Sequence, residues 1–356
     1  MAKQYTDLFD ELTSFSNLFL AYRKAARGKR GQAAVAGFEF DLEGQLLQLQ
    51  RELRGHTYRP GPYRSFYLRE AKRRWVSAAP FRDRVVHHAL CNAIEPLFER
   101  TFIGDSYANR VGKGTHRALD RAQQFARGHR HVLQCDIVQF FPSVDHAILR
   151  SILARKIADA EVLRLIERIL ASGEGVLAQE YDMVYFPGDD LFAAQRPRGL
   201  PIGNLTSQFW ANVYLNELDQ FVKRSLRCRA YLRYVDDFML FADDKRLLWA
   251  WKEALRGFLQ GLRLVMHERQ STVYPVHNGI PFLGFRLYAT HRRLKRRNGV
   301  AFARRLRGWY GSVARGEMSV EQLHARVQGW IAHAEHGDTW GLRRALLAKP
   351  IPRGAA

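Results

Sequence analysis

The chain has 356 residues, 47% of them hydrophobic, and carries 56 Lys plus Arg against 35 Asp plus Glu, a formal charge of +21. That length and apolar content suffice for two or three subdomains in close contact, with no Ser/Gly-rich or Pro-rich linker between them. The charge calls for a polyanionic partner, because each neutralised phosphate releases counterions, and no apolar run approaches the roughly 18 residues of a membrane-spanning helix.

Taken in chain order, Tyr5 to Arg27 predicts a helix with Leu8, Leu12, Phe15 and Phe19 on one stripe, and Phe38 to Gly55 a second, each stopped by a glycine. Tyr58 to Pro80 mixes Tyr63, Phe66, Tyr67, Trp75 and Val76 with Arg and Lys, which predicts a twisted antiparallel pair with a basic face. Arg82 to Arg100 returns to helical periodicity through Val85, Val86, Ala89, Leu90 and Ile94. His131 to Phe140 reads as a buried strand ending near a carboxylate. Pro142-Ser143 opens a helix over about Val144 to Arg155, and Glu161 to Ala171 is another. A loop with Asp189-Asp190 leads to a long helix from Leu205 to about Leu226. Arg229 to Phe241 predicts two strands around a tight turn, Arg246 to Leu262 a helix, and Thr272 to Ala289 strands with a turn at Asn278-Gly279. The remainder from His291 is basic and helical. The alternation argues for an α+β body, since the hairpin at residues 229–241 leaves no room for a crossover helix. Cys91, Cys135 and Cys228 show no CxxC or zinc spacing, and Met1 to Leu20 no secretory pattern, so a cytoplasmic protein with reduced thiols is expected.

The strongest local signal is the pair Asp236-Asp237 between Tyr231–Val235 and Phe238–Phe241. A turn lets adjacent acids share a hairpin tip, and like charges that close need a cation, for which magnesium is the natural match to carboxylate oxygen. Asp189-Asp190 and Asp243-Asp244 lie in polar loops and read as solvated turns. Asp136 ends a different apolar strand; alone it reads more readily as a cap or turn residue. Joined to the hairpin it completes a cluster able to hold two metals for in-line phosphoryl transfer.

These residues resemble the catalytic palm of reverse transcriptases: YVDD at 234–237 between apolar strands, Asp136-Ile137-Val138-Gln139-Phe140-Phe141 upstream, and Phe282-Leu283-Gly284-Phe285 downstream. The block Arg82-Asp83-Arg84-Val85-Val86 is similar to one in bacterial members. Leu200 to Gln208 resembles the template- and nucleotide-binding motif, and its Ile202-Gly203-Asn204-Leu205-Thr206-Ser207-Gln208 string resembles enzymes of diversity-generating retroelements. The resemblance covers roughly Tyr58 to Tyr288. It implies a right-hand polymerase fold: an N-terminal helical extension (1–57), fingers and palm (58–289), and a helical thumb with tail (290–356). It implies an RNA-directed DNA polymerase making error-prone, adenine-mutagenised cDNA. Two Mg2+ ions would be held by Asp136, Asp236, Asp237 and the Ile137 backbone carbonyl. Lys72, Arg74, Phe140, Phe141, Ile202, Gly203 and Gln208 would meet the deoxynucleoside triphosphate, Phe141 as the steric gate and Ile202 as the source of low selectivity, since it cannot donate the hydrogen bond of a glutamine. Tyr234, Arg292, Arg293, Lys295, Arg296 and Arg297 would meet template and primer. The implied partners are template RNA, the cDNA primer strand and a small, basic, oligomeric accessory variability protein.

One departure is that the stretch His267-Glu268-Arg269-Gln270-Ser271 lacks the lysine common before FLG; Arg269 is a poor proton donor, His267 is an alternative donor, and no general acid is assigned. From His291 to Arg307 eight Lys or Arg interleave with Leu294, Phe302 and Leu306, which suits a thumb on an A-form minor groove. Two other readings stay open: another bacterial reverse transcriptase, intron-like or defence-associated, against which the intact 202–208 string speaks; and a catalytically dead palm serving as an RNA scaffold, against which the complete set of acids speaks.

Overall fold

The two N-terminal helices expected from periodicity are each divided, because a capping side chain interrupts them. In the computed structural model, which describes residues 3–69 and 73–348, α1 (Phe9–Leu12) stops and α2 (Phe15–Ala26) restarts on Ser14, whose hydroxyl accepts from the Asn17 N–H. In the same way α3 (Ala33–Phe40) gives way to α4 (Leu42–Arg54) at Asp41, whose carboxylate accepts from the Gly44 N–H. Short polar side chains bond nearby backbone and so begin helices rather than continue them. β1 (Arg64–Arg69) and β2 (Arg73–Ala78) form the expected antiparallel pair, in register Arg64↔Ala78. α5 (Phe81–Glu99) then buries Val85, Val86, Ala89, Leu90 and Ile94 in the main core.

The central sheet gathers strands that are far apart in the chain. After α6 (Thr115–Gly128) come β3 (His131–Cys135), β4 (Tyr231–Tyr234), β5 (Asp237–Ala242) and β6 (Thr272–Pro275), ordered β4-β5-β3-β6 with every pairing antiparallel. Between β3 and β4 the chain forms α7 (Phe140–Ser143), α8 (His146–Ala154), α9 (Ala160–Ser172) and α10 (Leu205–Gln220), which runs on through a π turn at Phe221–Ser225; α11 (Lys245–Gly261) follows β5. The cap of α8 is Asp145, not Ser143 as expected. Side chains alternate across the sheet. Leu133, Cys135, Tyr231, Phe238 and Leu240 join the large core shared with α10 and α11, while Val132, Leu232, Met239 and Phe241 join a second core roofed by α6.

A second sheet of β7 (Ile280–Phe282), β8 (Phe285–Leu287) and β9 (Arg292–Leu294) leads into α12 (Arg296–Ala314), α13 (Val320–Ala334) and α14 (Trp340–Leu347). These helices hold a core of their own around Phe302, Leu306, Leu323, Trp330 and Ala334. They attach where the Lys295 N–H and Asn298 Nδ2 donate to the Gly284 carbonyl, at 2.9 and 3.1 Å, and where the His336 ring stacks on His116 of α6. The fold class is therefore α+β with antiparallel sheets, as expected. All three cysteines are free and buried, and among the described residues no helix is long and apolar enough to cross a membrane.

Candidate active site

The β4–β5 hairpin closes through Val235 and Asp236, with Tyr234 paired to Asp237. The neighbouring β3 pairs Cys135 with Phe238, so the next position in register sets Asp136 opposite Asp237. The chain thus brings residues a hundred positions apart to one end of the sheet. Burial, then the nearby Asp136 carboxylate, push the Asp236 carboxyl from the ordinary 3.8 up to about 6, against the pull of Arg74 and Arg233. Asp136 is fixed from behind: its carbonyl accepts from the His267 N–H at 2.8 Å, and its N–H donates to Ser271 Oγ at 3.4 Å. The Val138 N–H bonds the Val265 carbonyl at 2.8 Å. Alternation along the strand turns the Ile137 carbonyl to the other edge.

Among the described residues no three His, Cys, Asp or Glu side chains are gathered tightly enough to ligate a metal. By register Asp136 faces Asp237, and Asp236 lies beside them at the turn. Their chemistry fits a hard divalent cation: oxygen donors only, half-buried, with one carboxyl already destabilised as an anion. A raised folded pKa means that the folded state holds the Asp236 proton longer than the unfolded chain. Stability is therefore lost as pH rises from about 4 to about 6 and the cost persists above that. Magnesium is expected to raise the melting temperature by a few degrees at pH 8 and by progressively less below pH 6; a shift independent of pH would remove Asp236 from the binding site.

The 200–208 block is stitched to β2. The Ile202 carbonyl accepts from the Ser77 N–H at 2.8 Å. Gly203 has φ +115°, and a Cβ there would lie 2.9 Å from Val76 Cγ1, so only glycine lets the two chains approach this closely. Asn204, which the sequence did not single out, is buried and bonds three backbone groups: Nδ2 donates to the Ser77 and Pro201 carbonyls, and Oδ1 accepts from the Ala79 N–H. Its signal was available, as a lone Asn ahead of a long apolar helix. Ile202 and Gln208 are half-buried beside these contacts. The Leu200 N–H donates to the Phe141 carbonyl at 2.9 Å, joining the block to the half-buried Phe141.

Other expected residues separate. Phe140 is 2% exposed and belongs to the core, so it supports the Phe141 ring, 5.3 Å away edge-on, instead of facing a nucleotide. Arg74 is exposed on β2, and Lys72 lies outside the described residues. The Tyr234 hydroxyl bonds Thr115 Oγ1 at 3.0 Å and its ring meets Phe282 edge-on. Arg292 is not a free phosphate contact: its guanidinium binds Asp120 at 2.5 Å and Gln123 at 3.1 Å, clasping β9 to α6. Arg293, Arg296 and Arg297 are exposed, and the half-buried Lys295 immediately precedes α12. Asp189 is not a solvated turn either. Its side chain, 2% exposed, receives Arg263 at 2.6 Å and Arg196 at 3.2 Å. In the 82–86 block Asp83 is structural, accepting from the Tyr58 hydroxyl and the Gly61 N–H, both at 2.8 Å.

A family model described as reverse transcriptase (RNA-dependent DNA polymerase) matches residues 66–287, a span that runs from within β1 to the end of β8 and includes Asp136, Asp236 and Asp237. The chain belongs to the reverse transcriptase family. Protein YkfC of Escherichia coli (strain K12) is 29% identical over 287 residues, covering 69% of this chain and 72% of that protein. The group II intron-encoded protein LtrA of Lactococcus lactis subsp. cremoris is 28% identical over 183 residues, 51% of this chain but 28% of that protein. Among solved structures, apo telomerase from Candida tropicalis superposes with a TM-score of 0.48 at 10% identity, covering 68% of this chain and 58% of that one. The matched span of this reverse transcriptase holds both the β4–β5 hairpin and the end of β3.

Proposed function

We propose that this reverse transcriptase copies a template RNA into error-prone cDNA for a diversity-generating retroelement, working with a small basic accessory protein. The observation that supports the catalytic part is the strand register that sets Asp136 opposite Asp237, with Asp236 at the adjoining turn, at one end of the central sheet. Asp136, Asp236 and Asp237, with the Ile137 carbonyl, would hold magnesium. When bound, two such ions supply activation of the primer 3′-hydroxyl and neutralisation of the triphosphate. Arg74 binds phosphate oxygens as a fork, Phe141 closes the space a ribose 2′-hydroxyl would need, and Ile202, Gly203 and Gln208 line the incoming nucleotide. Exposed Arg293, Arg296 and Arg297 meet the duplex backbone, with Lys295 beside them. In this reading residues 1–57 are an extension, 58–289 fingers and palm, and 290–356 thumb and tail.

The retroelement part is supported by the apolar Ile202, held by its own backbone against β2. An intron-like enzyme is the competing reading, favoured by the similarity to LtrA. The experiment is primer extension on an RNA template with magnesium, the accessory protein and the four deoxynucleotides, followed by sequencing of the cDNA. Errors concentrated at template adenines support the retroelement reading; a low, even spectrum assigns the chain to the intron-like class, and no cDNA at all ends both. Ile202→Gln is expected to lower adenine errors by roughly tenfold, the scale of one added hydrogen-bond contact. An unaltered spectrum would clear Ile202.

A further inference from the structure

The turn that carries Asp236 is strained. Val235 has φ +57°, a conformation that a β-branched residue adopts only when its surroundings impose it. What imposes it lies directly beneath. Arg233, fully buried, donates from Nη1 to the Val235 carbonyl at 3.0 Å and to Asn212 Oδ1 at 3.2 Å. Its Nε and Nη2 grip both oxygens of Asp219, also fully buried, at 2.8 and 2.7 Å. The Tyr231 hydroxyl adds a bond to Asp219 Oδ1 at 2.7 Å. Asn212 and Asp219 both lie on α10, two turns apart and so on one face. The Arg233 backbone is pinned too, its N–H to the Asp105 carbonyl and its carbonyl to the Tyr107 N–H, both at 3.0 Å.

A buried bidentate pair is a poor source of net stability, since stripping water from both ions offsets their attraction, and apolar side chains of similar size often replace it without loss. The five-donor guanidinium does something no apolar group does: with two donors spent on Asp219, a third is aimed at one carbonyl of the turn. The same α10 begins at the block carrying Ile202 and Gln208, so a single rigid helix sets both the nucleotide-facing residues and the clamp under the hairpin.

We propose that Arg233, held by Asp219 and Asn212, is a positioning residue that fixes the Val235–Asp236 peptide and thereby aims the Asp236 carboxylate. The proposal rests on the reading of Asp236 as a metal-holding residue. It assigns the ion pair a role in catalysis that its contribution to folding does not supply.

The test uses the full chain in three forms: Arg233→Met combined with Asp219→Leu, Arg233→Lys alone, and Asp236→Asn as control. The paired apolar variant is expected to melt within a few degrees of the parent and to bind template–primer equally well. Its kcat is expected to fall about tenfold to a hundredfold, as for a misplacement of about 1 Å, with KM for the duplex unchanged. The magnesium concentration for half-maximal rate is expected to rise about tenfold, the scale seen when a partner of a metal ligand is lost. Arg233→Lys keeps the charge on Asp219 but not the fork, and should show the same kinetic pattern in a folded protein; it decides the question if the double variant fails to fold. Parent-like kcat and magnesium requirement in either folded variant, with Asp236→Asn inactive, overturns the positioning role alone. Persistent activity in Asp236→Asn overturns the metal-holding reading and this proposal with it.

Discussion

Asp236→Asn is expected to leave a folded protein that adds deoxynucleotides to a primer on an RNA template at least about a hundredfold to a thousandfold more slowly, the scale of removing one preorganised electrostatic group. The substitution keeps the shape of the side chain and removes the charge. In the metal-free protein that charge is a burden, because burial and the Asp136 carboxylate both oppose it. The variant should therefore melt at or above the parent temperature at pH 8, where the parent carries the full cost of the ionised group, and lose that advantage below about pH 4, where both are neutral. Lost incorporation with retained or raised stability separates chemistry from folding. Single-nucleotide extension and a thermal melt on the same sample measure the two quantities. A parent rate in this variant would remove the hairpin tip from the catalytic centre.

The second large effect concerns the joint between β2 and the 200–208 block. Asn204, 2% exposed, is the side chain that closes it. Asn204→Ala takes the partner from the Ala79 N–H and one from the Ser77 carbonyl, while the Pro201 carbonyl keeps the Ser207 hydroxyl. Two buried backbone groups left unpaired cost about 1–3 kcal/mol each, a large share of the roughly 5–15 kcal/mol that holds a folded domain together. The melting temperature should drop markedly. The KM for deoxynucleotide should rise more than the KM for template–primer, because Ile202 and Gly203 lose their register against the basic hairpin. A protein that melts like the parent would show that the joint is held by other contacts.

Much of this was legible before any coordinates. The β4–β5 hairpin was read correctly because its apolar alternation and its turn lie within a dozen residues, and backbone geometry acts at that range. The helix α6 was not read. Its buried face is built largely on Ala118, Ala122 and Ala126 around Leu119 and Phe125, and alanine marks a face only weakly. The two N-terminal helices were drawn unbroken, since the apolar periodicity runs on across Ser14 and Asp41, where the side chains cap new helices.

Charge was the property least readable along the chain. Arg292 sits in a basic run and looked available for phosphate, yet Asp120 neutralises it from 172 positions away. Asp189 looked solvated, yet Arg263 and Arg196 enclose it. By itself the sequence determined the family and the antiparallel α+β class, because both are written in residue types a few positions apart. Only the tertiary structure decided which charges are left over, that Phe140 is core while Phe141 is half-buried beside the 200–208 block, and that a buried Arg233 grips the turn beneath Asp236. Those outcomes depend on partners brought together by the packing of whole elements, and an ion pair or a burial has no local signature in the chain.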